Sequence, residues 1–431
     1  MQKNILIAIL SFVLIALTAN SQKADKFINN KETERIEKFL SSDELQGRQI
    51  YSEGIEKASL FIANEFKQNG LTTFKNSDGF LQSFSRLNTK FISASGNLDG
   101  TSLEAKNIIA ITAEANLKVT ENSGYEIIKI AKEDNLFLAV RKYMTANKNY
   151  LILVDESLAA NFGRLVQFKS GMTEQQKSIL IVLTNQTPKQ FTIEATHKID
   201  KLNLANVVGI LPGKSLPNEY VIFSGHYDHL GVNGKRAVNG DSIFNGANDD
   251  AAGTTAMIML SKYFSVLANN ERTLVFAAFT AEESGGFGAQ YFSKQFDPLQ
   301  VKAMLNIEMI GTESNWGKNS AYITGYEKTD MGAILQKNLE GSDFHFYPDP
   351  YTTQNLFYRS DNATLARLGV PAHTISTSKM DNEPNYHKPS DEFSTLDIDN
   401  MTQIIKAIAK SAKSIIAGKD TPTRVDTTQL K

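Results

Sequence analysis

YVIFSGH (Tyr220–His226), DDAAGTTAMIMLSKYFSVLANN (Asp249–Asn270) and TLVFAAFTAEE (Thr273–Glu283) decide the fold of this 431-residue chain. The outer two are short apolar runs that stop abruptly at polar residues. The middle one is a long, mostly apolar stretch of helical length. That order reads as strand, helix, strand. Working outward, ANVVGILPG precedes it, and AMLNIEMIG and VPAHTIST follow, separated by helical stretches such as GFGAQYFSKQF, TDMGAILQKNLE and NMTQIIKAIAKSAKSIIAG. Such alternation predicts an α/β fold, with a mostly parallel sheet covered by helices on both faces.

Toward the amino terminus, TERIEKFLSSDEL and EGIEKASLFIANEFKQNGL carry apolar residues at helical spacing, on either side of SSDELQGRQIYSEG. Residues 93–198 differ in texture. NIIAITAE, YLILVDES, SILIVLTN and QFTIEATHKI are strand-like runs without clustered acids or histidines, and they predict an inserted smaller α/β or β subdomain. The expected organisation is a signal peptide over residues 1–21, a discontinuous catalytic domain over 22–92 and 199–418, the insertion over 93–198, and a flexible tail over 419–431.

The signal-peptide expectation rests on Lys3, the apolar run Ile5–Leu17 and the small residues Ala19 and Ser21. It predicts a periplasmic or extracellular protein with no stable membrane association after cleavage. The chain has no cysteine, so disulfides, lipidation of a leader cysteine and thiolate metal ligands are all excluded. Cleavage would remove one of 45 basic residues, leaving 44 against 47 acidic ones and a net charge of −3. With no long basic cluster, nucleic acid is not an expected partner and a peptide substrate is. Composition fixes no oligomeric state.

The acids and histidines fall where strands end. YVIFS runs into His226, LVFAAFT into Glu282 and Glu283, and MLNI into Glu308. Ligands of open parallel sheets bind beyond the carboxyl ends of the strands, so these groups aim at one edge. Asp249, in the loop FNGANDDAAGTT, can bridge two cations with its two oxygens, leaving Asp250 to cap the helix. His387 lies in the polar loop NEPNYHKPSDEF. Oxygen and imidazole donors of this kind suit zinc, cobalt or manganese. Glu282, beside a ligand, is placed to act as general base and then acid. Asp228 is expected to accept the second imidazole N–H of His226 and fix its tautomer. A lone His-x-Asp or Glu-Glu pair is ordinarily a surface feature; five donors in order at strand ends are not. His197, His229, His345 and His373 read as structural or surface histidines.

Together GHYDHLG, NGANDDAAG, FTAEESGGFGA, NIEMIG and YHKPSDEF resemble the dinuclear zinc exopeptidases of the aminopeptidase Y family, clan MH, which also includes glutamate carboxypeptidase relatives. The resemblance covers about Phe27 to Ala417, less the insertion. It implies two Zn2+ ions, one held by His226, Asp249 and Glu308, the other by Asp249, Glu283 and His387, with Glu282 as catalytic base. Glu308 departs from the more usual aspartate, and Asn362 in YRSDNATLARLGVPA departs from a usual histidine or tyrosine. The implied activity is removal of amino-terminal residues from peptides. Carboxypeptidase activity on the same scaffold is the alternative, with Arg359 and Arg367 as candidates to pair with a substrate carboxylate. A glutaminyl cyclase is disfavoured because such relatives typically lack the histidine supplied here by His226. A non-catalytic ectodomain would be marked by lost ligands, and all are present.

Overall fold

The computed structural model describes residues 26–430 apart from 76, 145 and 147. The expected signal peptide, residues 1–21, lies outside them. Contacts divide the chain into two units, Phe84–Asn203 and the segments that flank it.

The flanking unit is built on a sheet of β1 (Phe191–Leu211, from Leu204 onward), β2 (Leu216–His226), β3 (Arg272–Phe279), β4 (Val301–Ile307), β5 (Ser320–Ile323), β6 (His345–Pro348) and β7 (Ala372–Ser376), in the order β6-β5-β7-β4-β2-β3-β1. β2 runs parallel to β3 and β4, and β4 parallel to β7, while β1 and β5 pair antiparallel to β3 and β7. This is the mostly parallel sheet that the alternating runs predict. Every residue of β3 is buried, because both faces of the sheet are covered. Val221, Phe223, Leu274, Phe276 and Leu305 point to one apolar cluster, and Ile222, Val275, Ala277, Phe279 and Met304 to another. Alternate side chains along a strand leave on opposite faces, so a continuous apolar run is what a doubly covered strand requires.

Helices α1 (Asn30–Leu40), α2 (Glu53–Gln68), α3 (Ala252–Leu267) and α6 (Ile398–Ser411) cover the first face; α4 (Phe287–Ser293) and α5 (Asn362–Ala366) cover the second. α3 is apolar nearly all round and its first twelve residues except Lys262 are buried, as befits a helix packed between the sheet and other helices. Thr33 of α1 ties the layer together, with its hydroxyl 2.8 Å from that of Thr402 in α6 and 3.3 Å from the sulfur of Met259 in α3. Gly253, in the first turn of α3, lies so close to β4 that a Cβ there would stand 2.0 Å from the carbonyl oxygen of Ile307. That close approach brings the Asp249 loop down onto the strand end that carries Glu308.

The Phe84–Asn203 unit contains a four-stranded sheet in the order Ile108–Ile111, Ile179–Leu183, Tyr150–Val154, Glu126–Ile130. Ile152 and Val154 face one apolar cluster and Leu151 and Leu153 another, so all five residues of that strand are buried. His197 belongs to this unit, where its Nε2 lies 3.1 Å from Lys169 Nζ.

Of the tail expected to be flexible over 419–431, the described residues 419–430 are docked rather than loose. The buried guanidinium of Arg272 donates at 2.7 Å to the carbonyls of Ile415 and Asp420 and also reaches Thr421 Oγ1. Arg424 donates to Pro298 and Val301 carbonyls at 3.0 Å, and Val425 is buried. Polar composition misled because the segment serves as acceptor for a buried cation rather than as apolar filling. Truncation after Lys419 would strip Arg272 of two charge-assisted hydrogen bonds, at about 1.5–3 kcal/mol each. We expect a fall of at least about 3 °C in the thermal midpoint, and an unchanged midpoint would show that the docking contributes nothing.

Candidate metal centre

Parallel register aligns the carboxyl ends of β2, β3, β4 and β7. His226 pairs with Phe279, Ser224 with Asn306, and Asn306 with Thr374. Beyond these ends the chain turns sharply. Ala281, Met309 and His387 adopt φ of 59°, 55° and 56°. Left-handed backbone at non-glycine residues costs on the order of 1–3 kcal/mol each. Here it re-aims the chain beside Glu282 and Glu283, beside Glu308, and at His387 itself.

The structure brings the sequence-predicted donors together. His226 Nε2 lies 3.1 Å from Asp249 Oδ1, while His387 Nε2 lies 3.2 Å from Asp249 Oδ2 and 3.3 Å from Glu283 Oε1. His226, Asp249 and Glu308 each offer a ligand atom within 4.8 Å of the others, so the longer glutamate reaches the position more often filled by aspartate. A second such group is His229, Asp249 and Glu283. Hence His229, expected to be structural, sits inside the cluster. His345 is exposed against Tyr347, and His373 is satisfied on both nitrogens by Thr324 and Thr329, so these two stand apart as expected.

Hydrogen bonding alone leaves the cluster unsatisfied. His226 Nε2, both ring nitrogens of His229, Glu283 Oε1 and Glu308 Oε2 are buried without a hydrogen-bond partner. Buried polar groups without partners cost about 1–3 kcal/mol each, more when charged, so such a concentration calls for a cation. The donor separations fit one too, because ligands 2.0–2.2 Å from a tetrahedral zinc lie roughly 3.3 Å apart.

Without a metal, protons stand in. Burial disfavours a charged His226 ring, yet Asp249, Glu282 and Asp250 outweigh it and hold the pKa well above that of free imidazole. Burial likewise opposes charge on His387, and Asp249 and Glu283 push its pKa up to about 9. Glu308 is raised to about 7, chiefly by burial and against the pull of His226. Asp249 is driven down, burial notwithstanding, by its two imidazole neighbours.

Asp228 corrects an expectation. The His226 Nδ1 partner is the backbone carbonyl of Asp228, at 3.1 Å, whereas the carboxylate is 3.9 Å away. The carboxylate instead accepts the backbone N–H of Glu282 at 3.0 Å. Two residues along a strand end, a backbone oxygen reaches the ring more directly than a side chain can. Asp250 does more than cap α3: it accepts N–H groups of Gly253 and Met309 at 3.0 Å and of His226 at 3.1 Å, linking three site loops.

Two anchors went unread in the sequence. Arg48 is fully buried, and its guanidinium donates to the carbonyls of Tyr227 at 2.8 Å, Asn245 at 2.6 Å and Gly246 at 2.9 Å, clamping the loops that carry His226 and Asp249. Asp391 accepts the N–H groups of Asn248 at 2.8 Å and Asp249 at 3.0 Å, tying the His387 loop to the Asp249 loop. Both stand in quoted segments, SSDELQGRQIYSEG and YHKPSDEF, that assign them no role. Asn362 is buried beneath the site and bonds to Phe357, Ala372 and Thr374, a supporting position rather than a pocket wall.

A cavity of about 650 Å3 opens onto the cluster. Glu282, Glu283, Arg359 and Asp361 line it. Burial raises Glu282 well above an ordinary carboxyl, and raises Asp361 to about 8. Since ligands must lose their protons to bind a metal, the raised pKa values of His226, His387 and Glu308 set the sign of the pH dependence: uptake weakens as pH falls through them. Zinc binding by metal-free protein at pH 7 should release about two protons. Calorimetry in buffers of different ionisation enthalpy reads this directly, and binding without proton release would contradict it.

Residues 206–412 match peptidase family M28. A probable leucine aminopeptidase of Trichophyton verrucosum is 27% identical over 318 residues, 71% of this chain and 79% of that protein. A probable leucine aminopeptidase of Arthroderma benhamiae is 29% identical over 210 residues, 46% of this chain and about half (54%) of that protein. A probable zinc metalloprotease of Pyrenophora teres f. teres is 35% identical over 112 residues, 26% of this chain and 23% of that protein. Among solved structures, the aminopeptidase from Aneurinibacillus sp. strain AM-1 shares the fold with a TM-score of 0.54 at 17% identity, over 95% of this chain and 98% of its own. The zinc aminopeptidase from Bacillus subtilis does so at 0.52 and 15%, over 91% and 97%. Residues 206–412, just under half of the chain, thus form a peptidase family M28 domain.

Proposed function

We propose that this chain is a secreted zinc-dependent exopeptidase that removes amino-terminal residues from peptides. The observation that carries the reading is the set of unpartnered imidazole and carboxylate donors converging beside Glu282 at the floor of a cavity. His226, Asp249 and Glu308 would hold one zinc, and Asp249, Glu283 and His387 the other. Bound zinc supplies Lewis acidity, which lowers the pKa of a water and polarises a carbonyl. Relatives named as leucine aminopeptidases and a zinc metalloprotease support the metal and the direction of cleavage. Export is supported by the sequence of residues 1–21, and among the described residues no helix is long and apolar enough to cross a membrane.

Glu282 is the group that moves the proton. It accepts one from the attacking water and returns it to the departing amine, a role that gains efficiency as its pKa rises toward the working pH. Its backbone is pinned by Asp228, which holds the side chain at the cavity floor. Asp361, buried with both oxygens unpartnered on the cavity wall, suits the ammonium of a peptide's free amino terminus. One observation favours the carboxypeptidase reading: Arg359 lines the same cavity and is exposed, as a group awaiting a carboxylate would be.

Assay of the zinc-loaded enzyme against amino-acid p-nitroanilides and against N-blocked peptides with free carboxyl ends separates the two. We expect release from the anilides, and cleavage of blocked peptides alone would overturn the aminopeptidase reading. Glu282→Gln should lower kcat by about 10²–10⁴-fold with zinc content unchanged, since it removes the base and no ligand. Loss of zinc with that change would mean that the two glutamates have exchanged roles.

A further inference from the structure

Resting on the aminopeptidase reading above, we propose that Lys294, Arg359 and Arg367 form a carboxylate-binding end of the cavity, so that the enzyme prefers short peptides whose leaving fragment carries a carboxylate, at its free end or on an acidic side chain.

The cavity of about 650 Å3 is lined unevenly in charge. Its acids sit low: Asp361 is buried, and Glu282 and Glu283 are partly buried. Lys294, Arg359 and Arg367 line the same cavity and are all exposed. Among the described residues, none of these three cations is ion-paired. Elsewhere in the same unit cations are matched, as where Arg272 and Lys302 share Glu219 at 2.7 and 3.7 Å. Arg367 lies over the Tyr358 ring at 6.0 Å and Arg359 Nη2 donates to Tyr386 Oη at 3.4 Å, contacts that neutralise neither charge. Three like charges around one cleft focus a positive field and draw in an anion.

α4 and α5 set the spacing. Ser293 Oγ of α4 donates to Thr364 Oγ1 of α5 at 2.7 Å, so the two helices lie against each other. Lys294 directly follows α4 and Arg367 directly follows α5, each at a helix carboxyl end, where the dipole favours a cation without discharging it. Asp361, suited to a peptide's ammonium, stands at the opposite end of α5. From Asp361 to Arg367 is a rise of roughly 9 Å along a helix axis. An extended peptide advances about 3.3–3.6 Å per residue, so two or three residues bridge an ammonium at Asp361 and a carboxylate at Arg367. A cavity of this volume encloses a molecule of that size. Arg359 is then accounted for without reversing the direction of cleavage: the carboxylate it awaits belongs to the leaving fragment.

The test uses the zinc-loaded enzyme and three substrates: the tripeptide Leu-Gly-Gly, its carboxyl-terminal amide, and the amide of Leu-Asp-Gly. We expect kcat/KM for the free acid to exceed that for its amide by about tenfold, chiefly through KM, as one charge-assisted hydrogen bond supplies. The ratio should fall as salt rises. Lys294→Gln combined with Arg367→Gln should bring it close to one, and a folded double variant with the wild-type ratio would overturn the assignment. Preference for the free acid places the carboxylate at the peptide's end, preference for the Asp-containing amide places it on a side chain, and both support the proposal. Equal kcat/KM on all three substrates would overturn it and leave the aminopeptidase reading standing. Cleavage of N-blocked peptides alone would overturn both. Should the double variant fail to fold, the salt dependence of the wild-type ratio decides.

Discussion

Asp249 is the constraint on which the rest depends. Its two oxygens face two imidazoles, His226 from a strand end at 3.1 Å and His387 from a loop at 3.2 Å, and the carboxylate itself is buried. A buried carboxylate is tolerable only when its charge is matched, and removing one partner of such a set leaves an uncompensated charge that costs about 3–5 kcal/mol. Much of the surrounding architecture keeps Asp249 there. Asp391 holds its amide, Asp250 laces the neighbouring loops to His226 and Met309, and the buried guanidinium of Arg48 grips the carbonyls on either side. The sheet contributes the one thing that loops cannot: strands in parallel register that deliver three ligand-bearing ends to the same edge.

Beneath the cluster the support is polar rather than apolar. Ser224, Asn306 and Thr374 lie side by side on β2, β4 and β7 and are hydrogen-bonded in series, at 2.7 and 3.1 Å. Asn362 completes the row through Thr374 at 2.9 Å. A fully bonded polar layer fixes rotamers more strictly than aliphatic packing, which suits a floor that must hold ligands to a fraction of an ångström. In the layer above, Ala281, Met309 and His387 take left-handed backbone next to the functional side chains.

The sheet, its helices and five of the donors were legible in the sequence because each leaves a local signature: an apolar run of strand length, a helical stretch, and an acid or histidine where the run stops. Contacts made by oxygens and ring orientations leave none. The spacing His226-x-Asp228 says that the two are near, but not that a backbone carbonyl takes the imidazole N–H while the carboxylate holds Glu282. His229 followed the same strand end and was set aside, since a third histidine adds nothing to a pattern already complete at five. Arg48 lies far from the cluster in sequence, and its value appears only once four buried carbonyls converge on it. The carboxyl-terminal segment looked loose for a related reason: polar residues that satisfy a buried arginine are indistinguishable, by composition, from polar residues that satisfy water.

Diffraction from crystals of the zinc-loaded protein, collected on both sides of the zinc absorption edge, tests the central claim most directly. The account predicts two anomalous peaks sharing Asp249, one beside His226 and Glu308 and the other beside Glu283 and His387. A single peak away from Asp249, or none, would contradict it.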